Sequence, residues 1–209
     1  MKKRVTVITA TYNRAKTIIR ALSSVKSQTY ADIQLIVIDG ASTDESVSSA
    51  NAILDETDIM ISEPDEGIYD ALNKGLAISE GEIIGFLHSD DLYYDDQIIS
   101  KVVDVFADET IDVVYGDACF FSGDNVMEIR RRYRSNKLSR KNLAWGKMPA
   151  HPSMFIRRRV YEEIGNFEKT FKIAADYEFL CRLVKYPNLK SVYLPLPFVR
   201  MQFGGASTD

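Results

Sequence analysis

Residues 82–91, EIIGFLHSDD, set an apolar run directly against a histidine, a serine and two adjacent carboxylates. The run is short, Ile-rich and not alternating, as expected of a strand covered on both faces. Like charges side by side repel, so Asp90 and Asp91 at its end are a candidate pair of cation ligands. The competing reading is that they favour a following helix N-terminus, a role that Asp95 and Asp96 already fill.

The same pattern recurs upstream and downstream. RVTVIT (4–9) precedes a helical stripe of Ile18, Ala21, Leu22 and Val25, and QLIVI (34–38) precedes SVSSANAIL. The 82–87 run precedes Ile98, Ile99, Val102, Val103 and Phe106. Repeated strand and helix in this order imply an α/β protein with a mostly parallel sheet between helical layers. Ser42-Thr43-Asp44-Glu45 fits a capping box, and Asn13 suits the cap of the first helix. Loops 9–14, 39–43 and 88–91 then sit at the C-terminal strand ends and are expected to converge on one ligand crevice.

From residue 111 the texture changes. IDVVYGDACFF, a turn at SGDN and VMEIRRRY predict a hairpin, so the sheet is expected to be mixed. SMFI (153–156), a short helix over 157–164, a longer helix from about 175 to 185, and the strand-like SVYL and FVRMQF follow. The chain stops at GGASTD straight after a strand-like run, which reads as a C-terminal truncation.

With 209 residues, 45% hydrophobic and 27% charged, there is material for one sizeable core, and 1–209 reads as a single domain. No apolar run reaches the eighteen or so residues that cross a bilayer, and MKKRVTVITATYNR has no signal-peptide pattern, so the expected location is cytoplasmic. Cys119 and Cys181, far apart and outside any CxxC, read as free buried thiols. Charge is uneven: 9 basic against 21 acidic residues over 1–112, and 17 against 9 over 113–209. Two differently charged halves suggest two kinds of partner.

Neither GxxxxGK[ST] nor GxGxxG occurs, which argues against a P-loop NTPase and a dinucleotide-binding domain. A bound nucleotide would then be held by a divalent cation bridging carboxylates and a diphosphate. Asp39, at the end of LIVI, suits a ribose hydroxyl or base N–H, or else an Asx turn; the residues leave both open. Tyr12 suits stacking on a base or covering the sheet edge. SEPDEGIYDALNKGLAISEGE (62–82) is the densest polar cluster: Ile68, Ala71, Leu72 and Leu76 form its apolar face, leaving Asp65, Glu66, Asp70, Asn73 and Lys74. Asp176 in AADYEFLCRL (174–183) reads first as a helix cap, and His151, in a proline-bounded loop, is a weak signal. The basic run 128–147, with Tyr133 and Trp145, suits phosphates, an anionic membrane surface or simple solvation, while a pI near 5.3 argues against nucleic acid.

Taken in order, TVITATYNRAKTIIRALSSVKSQTYADIQLIVIDGASTDES, EPDEGIYDALNKG, GEIIGFLHSDDLY, HPSMFIRRRVYEEIGNFE and AADYEFLCRL resemble the family 2 glycosyltransferases of GT-A fold, over nearly the whole chain. EPDEGIYDALNKG resembles in particular bacterial enzymes of surface-polysaccharide assembly. The resemblance implies a three-layer α/β/α sandwich with a mixed, mostly parallel central sheet. It implies an inverting, metal-dependent transfer of a sugar from a nucleoside diphosphate sugar, UDP leading because it is common in the family, to a hydroxyl of a saccharide or polyprenyl-linked acceptor. Residues 1–112 would form the donor half and 113–209 the acceptor half.

By the same resemblance, HSDD stands in place of the DxD motif. Asp90 would bind Mn²⁺ or Mg²⁺ on the diphosphate and Asp91 would support the site or donor sugar. His88 departs from the motif's first acid, which lowers metal affinity or turns the residue toward the donor. Thr9, Tyr12 and Arg14 would line the nucleotide pocket, Asp39 would hold the base or ribose, and Asp65 would lie nearby. Asp176 falls on the ED motif, with Ala175 replacing the preceding acid, and becomes the candidate general base. His151, in HPSMF, would approach the metal or diphosphate. Separately from the resemblance, the charge of the basic run 128–147 suits docking on the inner membrane face.

Two other readings use the same features. A sugar-phosphate nucleotidyltransferase would need a glycine-rich basic loop near the N-terminus, which ATYNRAK does not supply. A non-catalytic cation-binding α/β module would bind neither nucleotide nor sugar donor.

Overall fold

The computed structural model describes residues 3–123, 125–135 and 138–203. Apolar runs become strands where expected: β1 (Val5–Thr11), β2 (Ile33–Asp39) and β4 (Ile83–Phe86). A short strand that no pattern signalled, β3 (Ile59–Ser62), joins them, and the four pair in parallel in the order β3-β2-β1-β4. The chain winds outward from β1 to β3 and returns with β4 on the other side of β1. That reversal opens a crevice beyond the C-terminal ends of β1 and β4.

The second half extends the same sheet. β5 (Leu92–Tyr93), β6 (Val113–Phe121), β7 (Ile129–Tyr133), β8 (Met154–Arg157) and β9 (Ser191–Gln202) continue it as β4-β8-β6-β9-β5, with β7 also against β6. β8 runs antiparallel to β4 and β6, β7 antiparallel to β6, and β5 antiparallel to β9, while β6 and β9 are parallel over their length. The sheet is therefore mixed, with most of its paired residues in parallel ladders. SVYL and FVRMQF are one strand, β9, which passes two prolines by shifting register opposite Gly116 and Asp117. The turn at SGDN includes Asp124, and GGASTD is 204–209; both lie outside the described residues.

Helices cover both faces. α1 (Ala15–Lys26), α2 (Ser46–Asn51) and α4 (Ile98–Val105) bury Ile18, Leu22, Val25, Ala50, Ile98, Ile99 and Val102 against Val5, Val7, Leu35, Val37 and Ile83. α3 (Ile68–Ala77), α6 (Arg158–Ile164) and α7 (Ala175–Leu183) bury Leu72, Leu76, Val160, Phe179, Leu180 and Leu183 against Ile8, Ile36, Ile38, Ile84 and Phe86. A short α5 (Arg140–Ala144) adds Leu143 to that side. This is the three-layer α/β/α sandwich. α3 presses hard on β1, since a Cβ on Gly75 would stand 2.4 Å from Ile8 Cγ2. Gly75→Ala is expected to destabilise the fold by about 1–3 kcal/mol. Urea unfolding checks it, and an unmoved midpoint would mean that α3 can lift away freely.

The caps differ from expectation. Asn13 does not cap α1: it sits at φ 51 and its Oδ1 accepts the Thr43 N–H, while Asp44 accepts from the Ala15 N–H. Ser42 forms no capping box, because Asp39 accepts both its N–H and its hydroxyl; Asp44 accepts the Ser46 N–H instead. Side chains thus tie the two loops to each other, and Asp44 serves the start of both helices. Cys119 is buried and Cys181 partly buried, both as free thiols.

Candidate active site

Beyond the ends of β1 and β4 lies a cleft of about 520 Å³. Its floor is residues 10–14 and 88–91; one wall is Asp65 and the start of α3, the other Lys172, Ile173 and Asp176 ahead of and within α7. The end of β9 closes it with Met201 and Gln202. Strand ends and a helix N-terminus deliver these side chains because the βα units place their loops on this one edge.

Tyr12, Arg14, Asp65, Asp90, Asp91, His151 and Asp176 are brought together here. Tyr12 is 58% exposed, an open aromatic face at the mouth. Asp65 accepts the Gly67 N–H at 2.8 Å, and Gly67 takes φ 120, a conformation glycine adopts without strain. Thr9 and Asp39 are placed elsewhere. Thr9 and Thr11 share one face of β1 with Val5 and Val7, but Thr9 lies within the strand and is fully buried, while Thr11, at its C-terminal end, lines the cleft. Asp39 is also fully buried, accepting the Ser42 N–H at 2.9 Å and the Ser62 hydroxyl at 2.7 Å, so it ties loop 40–42 to the sheet edge.

The two carboxylates of HSDD differ. Burial raises the Asp91 carboxyl well above its ordinary range and the neighbouring Asp90 charge adds to the rise, against a hydrogen bond from the Gln202 backbone and the Arg20 charge. Arg20 itself bridges Gln202 Oε1, at 3.1 Å, and the Asp90 carbonyl. Asp90 is only half-buried and faces the cleft. Desolvation lowers both imidazoles despite attraction to Asp176 and, for His88, to Asp90; His151 falls to about 4. Both are therefore neutral near pH 7. His88 Nδ1 and His151 Nε2 are buried without a hydrogen-bond partner among the described residues, and the ring centroids lie 6.4 Å apart. His151 stacks on Phe86 at 4.8 Å.

Across the cleft Asp176 is half-buried in the first turn of α7. Its Oδ1 accepts the Tyr177 N–H at 2.8 Å and lies 3.1 Å from the Tyr69 hydroxyl. Sequence reasoning passed over Tyr69, Thr11, Lys172 and the end of β9. Tyr69 stood within the quoted 62–82 cluster, at the edge of an apolar stripe with Leu72 and Leu76, which hid its polar end.

As to a metal, among the described residues no three His, Cys, Asp or Glu side chains are gathered as a metal cage. The donor set still fits a cation brought in with a diphosphate. One accessible carboxylate, a second beside it and two imidazole nitrogens without a hydrogen-bond partner among the described residues match a site in which phosphate oxygens supply the remaining ligands.

The profile of glycosyl transferase family 2 matches residues 6–165. The chain belongs to that family. Among curated relatives, a PGL/p-HBAD biosynthesis glycosyltransferase of Mycobacterium tuberculosis is 29% identical over 206 residues, covering 96% of this chain and 78% of that protein. A second M. tuberculosis glycosyltransferase is 32% identical over 181 residues, covering 85% and 68%. Among solved structures, Staphylococcus aureus TarS 1–349 in complex with UDP-GlcNAc superposes with a TM-score of 0.77 at 19% identity, over 95% of this chain and 58% of that one. The mannosyltransferase PcManGT of Pyrobaculum calidifontis, in complex with GDP-Man and Mn²⁺, superposes with a TM-score of 0.74 at 21% identity, over 100% and 59%. This family 2 glycosyltransferase thus has a GT-A fold and spans less than two thirds of those solved chains.

Proposed function

We propose that this chain is an inverting hexosyltransferase. It moves a sugar from a nucleoside diphosphate donor, UDP first among candidates, to a hydroxyl of a saccharide or lipid-linked saccharide in bacterial cell-surface polysaccharide synthesis. The observation that carries the reading is that Asp176 and the Asp90–Asp91 pair line one cleft, close enough for His88 to feel the charge of both Asp90 and Asp176. A base and a leaving-group site facing across a cleft are what a single displacement needs.

In this reading Asp176 takes the proton of the acceptor hydroxyl. The oxygen attacks the anomeric carbon opposite the diphosphate, the bond from that carbon to the diphosphate breaks, and its electron pair leaves with the nucleotide. Tyr12 stacks on the base, Arg14 and Asp65 orient the nucleotide, and Asp39 holds the loop that packs against Asp65. Asp90, with Asp91, His88 and His151 around it, would hold Mn²⁺ or Mg²⁺. When bound, the cation neutralises charge developing on the diphosphate. Two solved relatives, one with UDP-GlcNAc and one with GDP-Man and Mn²⁺, support a nucleotide-sugar donor and a metal. Residues 1–112 supply most of the donor side, and 113–209 supply Asp176 and the acceptor side.

The test is the product. The anomeric proton coupling by NMR is expected to show inversion relative to the donor sugar, with one nucleoside diphosphate released per transfer. Retained configuration would overturn the reading.

The protein is also proposed to work at the cytoplasmic membrane face. Among the described residues no helix is long and apolar enough to cross a membrane. β7 presents Ile129 and Arg131 to solvent, and nearby in sequence Met127 is 68% and Trp145 75% exposed. Arg130 and Arg132 pair with Glu128 and Asp117, leaving Arg131 the free arginine of that strand among the described residues. Arg131→Glu is expected to weaken co-sedimentation with phosphatidylglycerol vesicles about tenfold. Equal binding of wild type and variant would remove the membrane from the account.

A further inference from the structure

Of the polar residues in 65–74, the proposed reaction uses only Asp65. The remaining members do something specific. Tyr69, Asp70 and Asn73, three and four residues apart on α3, face the segment that leads into α7. Asn73 grips both backbone polar groups of Phe167, donating to its carbonyl at 2.8 Å and accepting from its N–H at 3.0 Å. Lys169 reaches back to Glu66 and Asp70, each at 2.9 Å. The Tyr69 hydroxyl lies 2.8 Å from the Ile173 carbonyl and 3.1 Å from Asp176 Oδ1. Phe167 anchors the segment from below, packed on Tyr69, Phe86, His151 and Phe179 at centroid distances of 5.2–5.6 Å.

We infer that the polar face of α3 is a clamp that sets the position of Asp176, with Tyr69 as the positioning residue that reserves one carboxylate oxygen and leaves the other for the acceptor hydroxyl. Oδ1 is taken by Tyr69 and the Tyr177 N–H, and Oδ2 has no hydrogen bond among the described residues. A phenol suits the task because it has one proton and two acceptors in reach. While Asp176 is charged, the proton points to Oδ1. Once Oδ2 has taken the acceptor's proton, the Tyr69 proton turns to the Ile173 carbonyl at no cost in unpaired groups. Burial and the Asp176 charge push the phenol well above its ordinary value, so it stays a hydroxyl throughout. The titratable groups around Asp176 are Tyr69 from α3, His88 and His151 from the opposite side, and Lys172 from its own loop.

The inference rests on Asp176 being the base, and the experiment separates the two. Hydrogen exchange of the 167–176 peptide is measured for wild type, Tyr69→Phe and Asn73→Ala. Exchange there is expected to rise about tenfold in either variant, with β1 and β2 unchanged. Turnover is then followed as release of nucleoside diphosphate from UDP-glucose, UDP-N-acetylglucosamine or GDP-mannose, whichever is used. Tyr69→Phe is expected to lower kcat about tenfold with donor KM within a factor of two, because only the geometry of proton removal changes. Unchanged exchange in both variants would overturn the clamp. Wild-type kcat in Tyr69→Phe while Asp176→Asn is inactive would overturn the positioning role but leave the base assignment intact. Activity in Asp176→Asn would remove the base assignment instead.

Discussion

Asp176→Asn is expected to lower turnover by roughly 10³-fold while leaving donor affinity within a factor of two. Positioned proton transfer contributes about 10²–10⁴-fold, and an amide of the same shape removes the proton acceptor without emptying the site. The side chain lies in the first turn of α7, where a carboxylate is also favoured by the helix dipole, so some loss of stability is expected with the loss of charge. That loss is expected to be small, about 0.3–1 kcal/mol. The two effects separate by measuring kcat, nucleotide binding and thermal unfolding on the same variant. The cap position of α7 is Ala174, so a variant that turns over normally would leave Asp176 as a first-turn carboxylate favoured by the helix dipole and nothing more.

The second large effect concerns Asp90. Asp90→Asn is expected to weaken metal-dependent donor binding by about 100-fold and to abolish the difference between Mn²⁺ and EDTA. Asp90 rather than Asp91 is the sharper test, because Asp91 is buried, its carboxyl is driven toward the neutral form and it accepts a hydrogen bond from the backbone of Gln202. Changing Asp91 disturbs the junction of the HSDD loop with β9 as well as any ligand. Isothermal titration with nucleoside diphosphate, with and without Mn²⁺, reads the result. Unaltered metal-dependent affinity in Asp90→Asn would move the cation elsewhere.

How far the sequence carried these conclusions depends on the range of the forces involved. Ile18, Ala21, Leu22 and Val25 form the buried stripe of α1 because helical periodicity is written locally, and they are the residues buried there. β4 follows from its unbroken apolar run. β3 escaped notice because four half-covered residues give too short a signal, and its place is set by pairing with β2. Convergence of 10–14 and 88–91 on one cleft follows from strand order, a consequence of repeated βα units. Depth along a strand was less legible: Thr9 and Thr11 share parity with Val5 and Val7, yet Thr9, expected in the nucleotide pocket, is fully buried and Thr11 at the strand end lines the cleft. What a buried acceptor bonds was not legible. Asp39 is held by Ser42 and Ser62, the second 23 residues away in sequence, and Tyr69 reaches Asp176 across 107. Long-range hydrogen bonds of this kind leave no period. The caps illustrate the same point, since Asn13 and Asp44 serve each other's loops across about 30 residues.

The central claim, a cation-dependent nucleotide-sugar site at HSDD, is tested most directly by thermal unfolding with UDP, GDP, CDP and dTDP, each with Mn²⁺ or with EDTA. The account predicts that one nucleotide stabilises the protein, by about 2.7 kcal/mol at a hundredfold excess over Kd, and that EDTA removes the effect. No stabilisation by any of the four nucleotides in Mn²⁺ would contradict it.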